Sequence, residues 1–104
     1  MSKYLLNMDP KIANIIEQVI QICIKSAYIK EIFLYGSRAK GTHMKKSDID
    51  IALKGSDIDI ETLLDEIASI NTLLKIDLVD IENCSNELLK KEVEKDGITI
   101  YSEA

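Results

Sequence analysis

Apolar positions recur along this chain with two different periods, and the changes of period mark its elements. After Asp9-Pro10, a helix-start signal, Ile12, Ile15, Ile16, Val19, Ile20 and Cys23 fall at helical spacing with Asn14, Glu17, Gln18 and Gln21 opposite. This predicts an amphipathic helix ending near Ser26. Glu31-Ile-Phe-Leu-Tyr35 is short, apolar and rich in β-branched and aromatic residues, and it stops at Gly36, as a buried strand running into a turn does. Asp48 to Leu53 alternates and then turns wholly apolar, a second strand closed by Lys54-Gly55-Ser56. Ser56 and Asp59 stand at capping-box spacing ahead of Ile60, Leu63, Leu64 and Ile67, a second helix. Lys75 to Asp80 reads as a third strand and Glu87 to Lys95 as a third long helix with Leu88, Leu89 and Val93 inward. Asp96-Gly97 ends that helix before a last strand, Ile98 to Tyr101. Helices and strands alternate, so the expected fold class is mixed α+β: a mixed β-sheet with helices packed against it.

Size and charge narrow the picture. At 104 residues the chain is expected to form one domain spanning 1–104, with a single ordered core supported by 46% hydrophobic residues. A formal net charge of −5 argues against non-specific nucleic-acid binding as its main activity. Cys23 and Cys84 are isolated, and His43 completes no familiar zinc pattern with them, so reduced structural thiols are expected. No stretch has the length of a signal peptide's apolar run or of a membrane span, which points to a cytoplasmic protein without membrane association.

Chemistry enters between Tyr35 and Leu53. Gly36, with no side chain, lets the backbone approach an anion, and Ser37 opens a short helical turn whose N–H groups and hydroxyl suit phosphate oxygens. After ten residues intervening from Ser37, Asp48 and Asp50 flank Ile49. On a regular strand residues two apart share a face, roughly 7 Å apart at their bases. Two carboxylates so placed repel by roughly 2 kcal/mol at an effective dielectric of 20, a cost that a cation offsets. Mg²⁺ held jointly with substrate phosphates fits such ligands. Arg38, Lys40, Lys45 and Lys46 make this segment locally basic, as a triphosphate site would be. A third carboxylate is expected from the next strand. Asp77, inside Ile76-Asp-Leu-Val79, is the candidate because an acid in an apolar strand is costly unless used, and Asp80 is the alternate; on a regular strand the two face opposite sides.

Neighbouring look-alikes fail on chemistry. Gly36 to Thr42 nearly spells a P-loop, but Thr42 stands where the phosphate-reaching lysine belongs. An EF-hand fails because Ile51, Ala52 and Leu53 follow Asp50 where its loop needs oxygen ligands. Gly55-Ser-Asp-Ile-Asp59 repeats the letters of the site at a strand-to-helix junction, where capping alone accounts for them.

Gly36-Ser37, ten intervening residues and Asp48-Ile-Asp50, with Arg38, Gly41 and Ser47 in place, resemble the signature of the DNA polymerase beta-like nucleotidyltransferases, in particular its minimal branch. The order of elements resembles that family over nearly the whole chain. The resemblance implies transfer of a nucleoside monophosphate, usually AMP from ATP, to a hydroxyl, with release of pyrophosphate. It implies that Asp48, Asp50 and Asp77 hold two Mg²⁺ ions, that Gly36 and Ser37 bind the β- and γ-phosphates, and that Arg38 is a further phosphate contact. Such short chains commonly pair with a separately encoded helical protein of the HEPN or substrate-binding type, some as antitoxins that adenylylate it. A non-catalytic module that neutralises its partner by contact, and a transferase acting on a small molecule such as an aminoglycoside, are the alternative readings.

Overall fold

The computed structural model describes residues 8–103; the reading of the first residues as free of a targeting run lies outside them. Helix α1 (Pro10–Ser26) starts where the sequence signals it: Asp9 caps it, its side chain accepting from the Lys11 amide at 2.9 Å, with Pro10 at the first helical position. Strand β1 (Tyr28–Tyr35) runs into the four-residue helix α2 (Ser37–Lys40). Strand β2 (Ile49–Ser56), helix α3 (Ile60–Ile67), strand β3 (Ile76–Asp80), helix α4 (Glu87–Asp96) and strand β4 (Ile98–Ser102) follow. The strands form one mixed sheet in the order β3-β2-β1-β4, with β2 and β3 parallel and the other two pairings antiparallel.

Each face of the sheet has its own apolar cluster. Ile32, Leu34, Ile49, Ile51, Leu53 and Ile100 turn to the face covered by α1 and α3, where Ile16, Val19, Cys23 and Leu63 close the core. Phe33, Tyr35, Ala52 and Val79 turn to the other face and meet Leu89 and Val93 of α4. The strands alternate between these clusters, so Asp50 and Asp77 share the α4 face, while Asp80 turns with Ile76 and Leu78 toward α3.

Several boundaries differ from the sequence reading, each for a physical reason. β1 begins three residues early, at Tyr28, because its polar start pairs with the tail of β2 through a bulge between Ile29 and Glu31. Backbone pairing and the burial of Ile29 in the core extend it, although Tyr28 and Lys30 are exposed. Ser56 does not cap α3. It pairs with Tyr28 as the last residue of β2, and Asp59 takes the cap, accepting from the Thr62 amide at 3.2 Å and the Thr62 hydroxyl at 2.9 Å. Between them Asp57 turns the chain at φ 57°, a left-handed conformation that aspartate tolerates. Gly97 ends α4 with extended backbone; glycine is required there because a Cβ would overlap the Val93 carbonyl.

Candidate active site

The end of β1, the start of α2 and the starts of β2 and β3 come together at one end of the sheet. Tyr35 is the register partner of Asp50, and Asp50 is in turn the partner of Asp77 across the parallel β2–β3 pairing. Three consecutive strands therefore deliver Tyr35, Asp50 and Asp77 side by side on the α4 face. Gly36 follows directly, at φ 72° and ψ −156°, backbone space that essentially only glycine occupies. Its bare Cα lies against Asp50: an added Cβ would overlap Oδ2 of that carboxylate.

At Ser37 the chain enters α2 with no side-chain cap. The amides of Ala39 and Lys40 turn back to the Gly36 carbonyl at 3.1 and 3.2 Å, which leaves the Ser37 and Arg38 amides as the orphan donors of a helix start. Gly41 closes the turn in the left-handed conformation at φ 76°.

The electrostatics of the carboxylates follow from this packing. Partial burial, then the charges of Asp77, Asp48 and Glu92, then a hydrogen bond to Asp77, push the Asp50 carboxyl above its ordinary range. Lys75 stands 3.6 Å from Asp77 at an exposed position, so Asp50 is the member of the pair without a facing cation among the described residues. Tyr35 is pushed up to about 12, by burial first and then by Asp50, Asp77, Glu92 and Cys84, so its phenol stays protonated at neutral pH.

Asp48 sits differently from the sequence expectation. β2 begins at Ile49, so Asp48 lies one residue before the strand, exposed, close enough to raise Asp50. Among the described residues no three His, Cys, Asp or Glu side chains converge tightly enough to hold a metal ion together. The donor set itself suits Mg²⁺: two adjacent hard carboxylates, a third exposed beside them at Asp48, and a bare glycine that leaves room for anionic oxygens. Asp80 is elsewhere. It faces α3, one oxygen accepting from Asn83 at 2.9 Å and the other buried without a partner.

Two side chains at this site escaped the sequence reading. Glu92 comes from α4, and only its place three residues after inward Leu89 hints at it; Tyr35 reads in the sequence only as the last residue of a buried strand. Arg38 has a different environment from the one expected of a phosphate contact. It is 9% exposed, and its guanidinium donates from Nε and Nη2 to the Ser47 carbonyl at 3.1 and 2.9 Å, and from Nη2 to the Lys45 carbonyl at 3.4 Å.

A strand-to-helix corner bearing Gly-Ser, beside paired aspartates on neighbouring strands, is the arrangement of a nucleotidyltransferase. The chain belongs to that class: the polymerase beta nucleotidyltransferase family matches it over residues 17–104. The protein adenylyltransferase MntA of Aphanizomenon flos-aquae (strain 2012/KM1/D3) is 32% identical over 108 aligned residues, covering 90% of this chain and 71% of the relative. A crystal structure of a toxin-antitoxin with AMP-PNP contains a chain 27% identical, with a TM-score of 0.71, covering 84% of this chain and 73% of that one. The complex of a tri-AMPylated Shewanella oneidensis HEPN toxin with its MNT antitoxin shares the fold, at a TM-score of 0.64 and 24% identity over 84% of this chain and 69% of that one. No helix among the described residues is long and apolar enough to cross a membrane.

Proposed function

We propose that residues 1–104 act as one minimal nucleotidyltransferase domain that transfers AMP from ATP to a hydroxyl on a separately encoded helical HEPN-type toxin, and so serves as its antitoxin in the cytoplasm. The observation that carries this is the Asp50–Asp77 pair set against the Gly36–Ser37 corner, in a chain 32% identical to a protein adenylyltransferase.

Gly36 and Ser37 hold the β- and γ-phosphates, the glycine by close backbone approach and the serine through its amide and hydroxyl. Asp48, Asp50 and Asp77 would hold Mg²⁺, two ions in the full site, and the metal would supply positive charge against the charge that develops on the transferring phosphoryl group. The acceptor hydroxyl oxygen bonds to the α-phosphorus as the bond to the bridging oxygen of the β-phosphate breaks. Pyrophosphate leaves, and Asp77 takes the hydroxyl proton.

Purified protein incubated with Mg²⁺, α-labelled ATP and the co-encoded partner should label that partner, and Asp48→Ala with Asp50→Ala should abolish labelling without unfolding the protein. Equal labelling by the double variant would refute the carboxylate role. The absence of a preformed three-carboxylate cluster among the described residues favours a second reading, in which the chain neutralises its partner by contact alone. That reading expects the double variant still to protect cells from the partner.

A further inference from the structure

Resting on the nucleotidyltransferase reading, we infer that Arg38 is a positioning residue: it fixes the α2–β2 loop so that Asp48 is delivered to the metal, and it does not bind the triphosphate.

The loop is held at one point. Ser47 carries two grips from Arg38 on its carbonyl, while its own amide donates to the Met44 carbonyl at 3.0 Å and its hydroxyl accepts from the Met44 amide at 2.8 Å. The next residue is Asp48, and the one after it, Ile49, is already locked into the sheet through a 2.9 Å hydrogen bond from its amide to the Lys75 carbonyl. Asp48 therefore sits between two held peptide groups, one fixed by β3 through the Ile49 amide and the other by Arg38 through the Ser47 carbonyl. The buried guanidinium uses its planar fork on backbone carbonyls, a role for which lysine is a poor substitute because its single ammonium cannot reproduce the two-pronged grip. Groups that orient a metal ligand from behind typically change metal affinity or activity by about 10- to 100-fold when replaced. A phosphate ligand would instead change nucleotide affinity.

The test compares wild type with Arg38→Lys, chosen because Arg38→Ala strands the Ser47 and Lys45 carbonyls and risks unfolding. In Arg38→Lys, Mn²⁺ affinity measured by electron paramagnetic resonance should fall about tenfold, and the Mg²⁺ concentration for half-maximal transfer should rise by about the same factor. ATP affinity without divalent ions should stay within about twofold, and kcat should recover at high Mg²⁺. The Ser47 amide should exchange hydrogen about tenfold faster, while β1 and β2 stay protected. Reduced ATP affinity with unchanged metal dependence would overturn the inference, as would unchanged exchange at Ser47. Should wild type transfer no AMP to any partner, the functional reading falls, and the Mn²⁺ and exchange measurements still decide the role of Arg38.

Discussion

Gly36 has its Cα pressed against the carboxylate of Asp50, in backbone space closed to residues that carry a Cβ. The two constraints act together: Gly36→Ala must move either the strand end or the aspartate. Strain of this kind costs about 1–3 kcal/mol. Chemical denaturation should show a loss of that size, and AMP transfer should drop by about 100-fold or more, the scale seen when a preorganised donor is lost. A variant with wild-type transfer would mean the corner does not position the reacting groups.

Asp77 and Asp80 are separated by the sheet itself. Asp77 is the register partner of Asp50, whereas Asp80 pairs beside Leu53 and turns toward α3. Asp77→Asn should reduce AMP transfer by about 100-fold or more, while Asp80→Asn should leave it within about twofold, read as kcat/KM. Equal loss in both would place the chemistry elsewhere.

How much of this was legible beforehand differs from residue to residue. The Gly36–Ser37 corner and Asp48-Ile-Asp50 could be read because a few adjacent residues carry them, and β1 and β2 are close in sequence. The opposite facing of Asp77 and Asp80 was legible from alternation; which one meets Asp50 was not, since that depends on the parallel register between β2 and β3. Glu92 stayed hidden because it reaches the site only through the docking of α4 on Tyr35 and Ala52. The family resemblance implies a phosphate contact for Arg38, while the carbonyls that the folded-back loop offers it carry no signal in the sequence. For the Asp50–Asp77 register and for Glu92 a long-range contact decides the environment, and for Arg38 the fold of an irregular loop does; local pattern carries little information on either.

Asp50 gives the metal-free protein a pH dependence of definite sign. Its folded pKa lies above the unfolded value, so its contribution is fully present below the ordinary carboxylate pKa and is lost as pH rises through the raised one. Asp59, an exposed N-cap lowered by hydrogen bonds from the Thr62 amide and hydroxyl, works the other way: its contribution is present above the unfolded pKa and fades as pH falls through the folded one. Thermal unfolding without metal should therefore show Asp50→Asn flattening the decline toward neutral pH and raising the midpoint there. Relief of one like-charge contact across neighbouring strands is about 1 kcal/mol at most, or about 4–8 °C. A variant that melts lower at neutral pH would contradict the like-charge account.

Mg²⁺ with a non-hydrolysable ATP analogue should stabilise the protein well beyond either alone. The Asp50 carboxylate is opposed by burial and by the neighbouring charge of Asp77, and no cation faces it among the described residues, so it opposes the fold in the charged form that a metal would bind. The analogue's phosphates supply the remaining oxygens, which makes the two ligands mutually dependent. Saturation at about 100 times Kd contributes about 2.7 kcal/mol, a shift easily seen in a melting curve. Chelation should return the midpoint to that of the metal-free chain, and the Asp50→Asn, Asp77→Asn double variant should lose the joint effect while melting no lower than wild type without ligand. If the double variant kept the full shift, the nucleotide and metal would be held by other residues, and the carboxylate pair would be a feature of the sheet alone.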